Sequence, residues 1–217
     1  MTQKIPLLTS RRGILTGGAA LLLAGCSDLI GPSSAPQQLY LLKPMGGPST
    51  AGPKVAWHLS VTAPSAEEHL DTSRIALVQN DNSVDYYANS AWTDHLPELV
   101  QNALVEAFEN SGRISGVAPD SDGFHAEYVL QTQLRDFEAR YDQPDGIPTA
   151  VVRIEAKLAP SLGREIVANF TAAHETQAAA NSVAAAVHAF DEALGVVLAD
   201  IVNWTLAVSV PPAAKGR

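Results

Sequence analysis

Cysteine is nearly absent from this chain. One residue, Cys26, stands in 217, so an internal disulfide or a cysteine-rich metal centre cannot form. Zinc-ribbon and knottin readings fall with it, and 15 glycines in 217 residues are too few for a collagen-like repeat. Basic charge is also short: Lys and Arg number 14 against 23 Asp and Glu, a formal net charge of −9. Such a chain lacks the basic footprint that phosphate contacts need, which excludes nucleic acid as a partner. No apolar run is long. The longest uncharged apolar stretch near the N-terminus, 13–25, has thirteen residues, and a bilayer span needs roughly 20. Catalytic signatures are missing too. There is no Gly-x-Ser-x-Gly elbow, no His-Glu-x-x-His, no phosphate-binding Gly-x-x-x-x-Gly-Lys loop and no Gly-x-Gly-x-x-Gly. The six histidines (His58, His69, His95, His125, His174, His188) include no two spaced three to five apart, so no local metal pair is visible.

What is present is globular in composition, 46% hydrophobic and 17% charged. The length suits one domain with tails. Its first twelve residues carry Lys4, Arg11 and Arg12 and no acid, and the short apolar run follows. That order reads as a secretory signal peptide. Ser10-Arg11-Arg12-Gly13-Ile14-Leu15 resembles a twin-arginine export signal and serves equally as an ordinary positive n-region. The run ends Leu23-Ala24-Gly25-Cys26, which resembles a bacterial lipobox. The resemblance implies a diacylglyceryl group on the Cys26 sulfur, cleavage before Cys26 and acylation of the new amino group. No other cofactor is expected. Several acyl chains would anchor the protein stably where one would not. Ser27, with Asp28 one position later, implies sorting to the outer membrane. Removing 1–25 takes away three positive charges and leaves 11 basic against 23 acidic residues. A body that acidic would not rely on attraction to anionic headgroups.

The expected organisation is a signal peptide over 1–25, a lipidated tether over 26–37, one folded domain over 38–206 and a disordered tail over 207–217. Residues 27–37 are rich in Ser, Pro and Gly and suit a tether. Short strands are predicted at 38–43, at 55–62 with period-two alternation, and at 74–79 and 84–88 as a hairpin about Asp81-Asn82-Ser83. A helix begins near Asp94: Leu96, Leu99, Val100, Ala103, Leu104, Ala107 and Phe108 make one face. Pro97 fits its first turn and Gly112 its C-terminal cap. Three strands follow near 127–141, 150–158 and 165–173. In the first of them the apolar parity changes between Leu134 and Phe137, which predicts a bulge. A long helix starts after Ser182, a good N-cap, with its buried stripe running from Val183 to Trp204. The fold class is therefore α+β, a two-layer sandwich of a mostly antiparallel sheet with two long amphipathic helices on one face. The apolar stripes are consumed by that core, so no spare cavity is expected.

Candidate chemistry is sparse. His69 with Asp71, or Asp94 with His95, would be acid–base partners. Glu127, Asp136, Glu138 and Asp142 are oxygen ligands of a kind that suits calcium, or else a solvated strand face. Tyr86, Tyr87 and Trp92 suit either a partner surface or the core beneath the hairpin.

The order Leu70-Asp71-Thr72-Ser73-Arg74-Ile75-Ala76-Leu77, then Tyr86-Tyr87-Ala88, Trp92 and Leu96-Pro97 opening a helix that closes on Ala107-Phe108, resembles the ABC-type transport auxiliary lipoproteins, the family of paraquat-inducible protein C. Tyr40-Leu41-Leu42, Phe137-Glu138-Ala139 and Ala189-Phe190-Asp191 fit as well, and the resemblance spans about 38–205. It implies a non-enzymatic lipoprotein in the outer membrane, facing the periplasm. It also implies an MCE-domain protein and an inner-membrane ABC transporter as partners, phospholipid or another hydrophobic cargo, and a homo-oligomeric ring. Arg74, Tyr86, Tyr87 and Trp92 are the partner-binding candidates. The alternatives are a periplasmic lipoprotein hydrolase with His69 or His95 as base, or a lipoprotein that assembles or braces outer-membrane barrels.

Overall fold

A computed structural model describes residues 36–208, apart from 124, 163 and 164. The chain forms β1 (Gln38–Tyr40), β2 (Val55–Val61), β3 (Arg74–Val78), β4 (Val84–Trp92), α1 (Leu96–Ser111), β5 (Ile114–Pro119), a 3-10 turn (Asp120–Asp122), β6 (Tyr128–Arg140), β7 (Thr149–Pro160), β8 (Ala168–Gln177) and α2 (Val183–Ala207). The α+β class holds. The expected boundaries over 1–25, and Leu23, Ala24, Gly25 and Cys26 with them, lie outside the described residues.

β6 organises the sheet. Along one edge it pairs antiparallel with β7 from end to end, and β7 pairs antiparallel with β8. Its other edge is shared. β2 takes the N-terminal part (Leu59 opposite Tyr128) and β3 the C-terminal part (Leu77 opposite Ala139), both parallel. β5 joins β2, and β1 joins β4, also parallel. The sheet is thus mixed, with its longest ladders antiparallel. The parallel neighbours come from crossovers through α1 and through 62–73, and strand periodicity carries no record of pairing direction.

The predicted bulge is present. Leu134 opposes Ile154 while Asp136 opposes Arg153, so Arg135 is the extra residue. Before it Tyr128, Leu130 and Leu134 face the core; after it Phe137 and Ala139 do. One inserted residue exchanges the two faces of a strand. The bulge keeps the inner side of a thirteen-residue strand buried throughout, with Thr132 as a polar member among the apolar ones. β8 begins later and runs further than expected. β5, Ile-Ser-Gly-Val-Ala-Pro, has no alternation that would announce a strand.

Both helices cover the sheet. Ser182 caps α2, its Oγ accepting from Ala185 N at 3.3 Å. Gly112 ends α1 in the left-handed region (φ 60°), its N–H donating to Glu109 O, which glycine allows without strain. Trp92, Phe137 and Phe190 meet beneath α2. The two phenylalanine rings stack at 4.8 Å, and Trp92 stands edge-on to each, 6.1 and 5.7 Å away. These contacts bind β4, β6 and α2 into one core.

Candidate functional site

The hairpin of β3 and β4 brings two of the four partner candidates together. The Arg74 guanidinium lies 3.5 Å above the Tyr86 ring, a cation–π contact. Tyr86 in turn donates from its hydroxyl to His69 O at 3.3 Å. The pair floors an open hollow of about 590 Å³ that Glu67, Asp71 and Thr72 help to line. His69 Nδ1 lies 3.7 Å from Glu67, and His95 Nδ1 lies 3.6 Å from Asp71. The expected pairings of His69 with Asp71 and His95 with Asp94 are therefore replaced. Adjacent residues point apart, and the turn at 67–71 sets the partners instead.

Tyr87 and Trp92 lie elsewhere. Trp92 is 2% exposed and belongs to the core, so its place among the partner-binding residues is corrected: it has no surface to offer. Tyr87 is half-buried, and its hydroxyl meets Tyr141 at 2.9 Å. Tyr141 donates to Asn181 at 3.0 Å, and Asn181 donates to Asp145 O at 3.1 Å. That relay fixes the approach to α2. Burial, and then the Tyr141 hydroxyl, push the Tyr87 phenol well above its usual range.

Of the four candidate acids, Glu127, Asp136 and Glu138 have protein partners. Asp136 pairs with Arg153, and Arg135 with Glu155. Glu127 accepts from His58 N at 2.8 Å and approaches His58 Nδ1 at 3.0 Å. The His58 backbone bond chiefly holds the Glu127 carboxyl below its usual range. Among the described residues no group of three or more such side chains could hold a metal. Glu138 is distinguished by its burial. It accepts from Phe137 N at 2.9 Å and stands 3.7 Å from Arg140. Burial first, then the Asp136 charge, hold its carboxyl above the usual range. An acid raised on folding stabilises fully below its unfolded pKa, and that contribution is lost as pH rises through the folded value. Glu138→Gln, which keeps the acceptor for Phe137, should therefore raise the melting temperature at neutral pH. The gain should shrink to nothing in acid, as thermal melts across pH would show.

A second feature escaped the sequence reading. Residues 43–54 run as a strap along α2. Its first end is held by Asp191, whose carboxylate accepts Lys43 N at 2.7 Å and whose carbonyl accepts Met45 N at 2.9 Å. Burial pushes the Asp191 carboxyl up, and the Lys43 N–H draws it back down. The approach is possible because residue 195 is glycine: a Cβ there would sit 1.7 Å from Met45 O. The other end is held by Arg113, which is 3% exposed. Its guanidinium donates to Ser49 O at 3.1 Å, Pro53 O at 3.3 Å and Asn203 Oδ1 at 2.7 Å. Beneath the strap, between α1 and α2, is a groove of about 410 Å³ with Ala103, Ala107 and Leu198 on its floor and Lys43, Glu106 and Asn110 at its rim. The expectation of no spare cavity is corrected here. The helices do spend their stripes on the sheet, but small residues on their flanks leave a slot that the strap only partly roofs.

No described helix is long and apolar enough to cross a membrane. A family model described as the ABC-type transport auxiliary lipoprotein component matches residues 40–202. A Xanthomonas campestris protein of known structure, of the DUF330 family, is 30% identical with a TM-score of 0.73, over 79% of this chain and 95% of that one. A second solved structure, of an uncharacterised protein, shares 16% identity with a TM-score of 0.61 over 78% of this chain and 99% of its own, and bears on the fold alone. An uncharacterised protein of Bradyrhizobium diazoefficiens is 26% identical over 194 residues, 88% of this chain. The chain spans about half the length of that curated relative.

Proposed function

This chain belongs to the family of ABC-type transport auxiliary lipoprotein components, and from that premise we propose that it is a lipid-anchored docking subunit of an MCE-type ABC transport system. Cys26 carries the lipid, the outer membrane holds the anchor, and the folded domain works in the periplasm without chemistry of its own. Phospholipid or a similar hydrophobic molecule is the cargo of the assembly. The family match over 40–202 carries this reading. The order of the lipobox supports the anchor. The Arg74–Tyr86 hollow supports docking, because an exposed cation stacked on a half-buried aromatic is an anchor type enriched at interfaces.

The test is affinity purification of the protein from detergent-solubilised membranes, with mass spectrometry of what accompanies it. An MCE-domain protein together with ABC subunits is the expected recovery. Recovery of a β-barrel, or of no partner, would overturn the proposal. Within that experiment, Arg74→Glu combined with Tyr86→Ala should reduce capture of the partner roughly tenfold, as loss of a central anchor pair does. Thermal melts should show the fold retained at a modestly lower melting temperature, since Arg74 is exposed and Tyr86, though packed on the core, is only half-buried.

A further inference from the structure

Residues 39–45 alternate strictly in burial. Tyr40, Leu42 and Pro44 are half-buried, with Tyr40 and Leu42 packed on the core. The other parity faces outward as Leu39, Leu41, Lys43 and Met45, with the three apolar members 60%, 55% and 41% exposed. The outward row of a half-buried extended segment is ordinarily polar, as on a sheet with one wet face. This one is apolar with a lysine in it, and a contiguous exposed apolar row marks an interaction surface.

Charge singles out the same segment. From residue 29 to residue 66 there is no Asp or Glu, and the cations are Lys43 and Lys54, both exposed. The remaining 151 residues to the C-terminus hold 22 of the 23 acids. Two acids approach the strap from the helices beneath. Asp191 turns inward to the Lys43 backbone, and Glu106 shares the groove rim with Lys43. An acidic protein thus keeps one acid-free, apolar and cationic segment, and holds it in place with the Asp191 and Arg113 contacts.

That segment also stands next to the expected anchor. Cys26 and Gln38 are twelve residues apart in a Ser/Pro/Gly-rich stretch. Even fully extended, twelve residues reach no further than about 40 Å, so a lipid on Cys26 would keep the row at high local concentration beside the bilayer.

We propose that the row Leu39, Leu41, Lys43 and Met45, with Lys54, is the face this protein lays on an anionic phospholipid bilayer. The inference rests on lipidation at Cys26. The leucines and Met45 enter the headgroup boundary, the two lysines meet lipid phosphates, and the acidic remainder is held away by the same field. The acidity of the whole body, taken alone, pointed away from headgroup attraction; its uneven distribution restores it for this one face.

The experiment uses the full-length protein purified from membranes and reconstituted in vesicles, either zwitterionic or containing phosphatidylglycerol. Mass spectrometry of the N-terminal peptide first establishes the lipid. Because Cys26 is the sole natural cysteine and would be blocked by lipid, Leu41→Cys, Met45→Cys and, on exposed β8, Thr171→Cys each take one polarity-sensitive fluorophore. Lipid-borne quenchers should quench positions 41 and 45 several-fold more than 171. Lys43→Glu with Lys54→Glu should weaken that contact roughly tenfold on anionic vesicles, and raised salt should weaken it as well. A lipidated protein quenched equally at all three positions would overturn this inference and leave the anchor standing. So would quenching indifferent to both lysines, or protection of 41 and 45 only on addition of a protein partner. An unlipidated N-terminal peptide would overturn both.

Discussion

Gly195→Leu should lower stability by about 3 kcal/mol and free residues 43–48 from α2. The site is already full: a single Cβ at 195 would come within 1.7 Å of Met45 O and 2.8 Å of its carbonyl carbon. Both are backbone atoms, which cannot rotate aside, so the strap must leave the helix. Departure breaks the bonds from Lys43 N to the Asp191 carboxylate and from Met45 N to the Asp191 carbonyl. The first is charge-assisted and contributes about 1.5–3 kcal/mol; the second contributes about 1. Overpacking adds about 1–3. Replacing a mid-helix glycine returns about 1 kcal/mol of helix propensity, too little to reverse the sign. Urea unfolding gives the global loss. Amide exchange at Lys43 and Met45 locates it, since those protons should exchange orders of magnitude faster while Phe190 keeps its protection. Unchanged exchange at both amides would show that the strap is not held by this contact. Gly195→Ala should give the same pattern at smaller amplitude, because its propensity gain is similar and its clash involves one atom.

The same residue shows what was legible in the sequence. α1 and α2 were read from apolar steps of three and four, Ser182 and Gly112 from cap chemistry, and the bulge at Arg135 from a change of parity. Each of these is local, and each was found within a few residues of its place. Gly195 was visible only as a glycine in an apolar helix. Its cost there was the signal available, since a glycine kept mid-helix points to a close backbone approach. Nothing local names Met45, 150 positions earlier, as the approaching group. A strand was expected over 38–43, and β1 ends at Tyr40; the burial parity of the segment emerges only once Tyr40 and Leu42 are seen on the core. Trp92 failed as a surface candidate for a related reason. An aromatic before a helix is the same residue type in either role, and the stacked Phe137 and Phe190 decide that it faces inward. Pairing direction and the Asp71–His95 contact are properties of the assembled sheet and its turns, and no periodicity encodes them.

Arg113→Ala should cost about 4 kcal/mol, which for a domain of this size lowers the melting temperature by about 10 °C. Arg113 is a buried cation whose hydrogen bonds are to neutral acceptors, the carbonyls of Ser49 and Pro53 and the Asn203 amide oxygen. No carboxylate forms an ion pair with it among the described residues. Three oriented dipoles replace the water it loses. Removing the side chain leaves those acceptors short of donors at about 1–3 kcal/mol each, partly relieved by entering water, and opens a cavity. The chain around it is fitted to the guanidinium: Gly52, at φ +135°, would place a Cβ 2.8 Å from Nη2. Two further variants separate packing from hydrogen bonding. Arg113→Met restores most of the apolar stem and no donors, so it should recover only the cavity part of the loss. Nη1 serves both Ser49 and Asn203 while Nε serves Pro53; Arg113→Lys supplies donors from a single point and cannot reach Pro53 as well as the other two, so it too should fall short of wild type. If Arg113→Met proves as stable as wild type, the three hydrogen bonds contribute nothing, and the far end of the strap is held by packing alone. If both variants lose most of the 4 kcal/mol, and amide exchange quickens through 49–55 with α1 unaffected, Arg113 is the second fastening of the strap. The outward row carrying Leu39, Leu41 and Met45 would then owe its fixed presentation to two contacts more than 75 residues apart in sequence, Asp191 and Arg113.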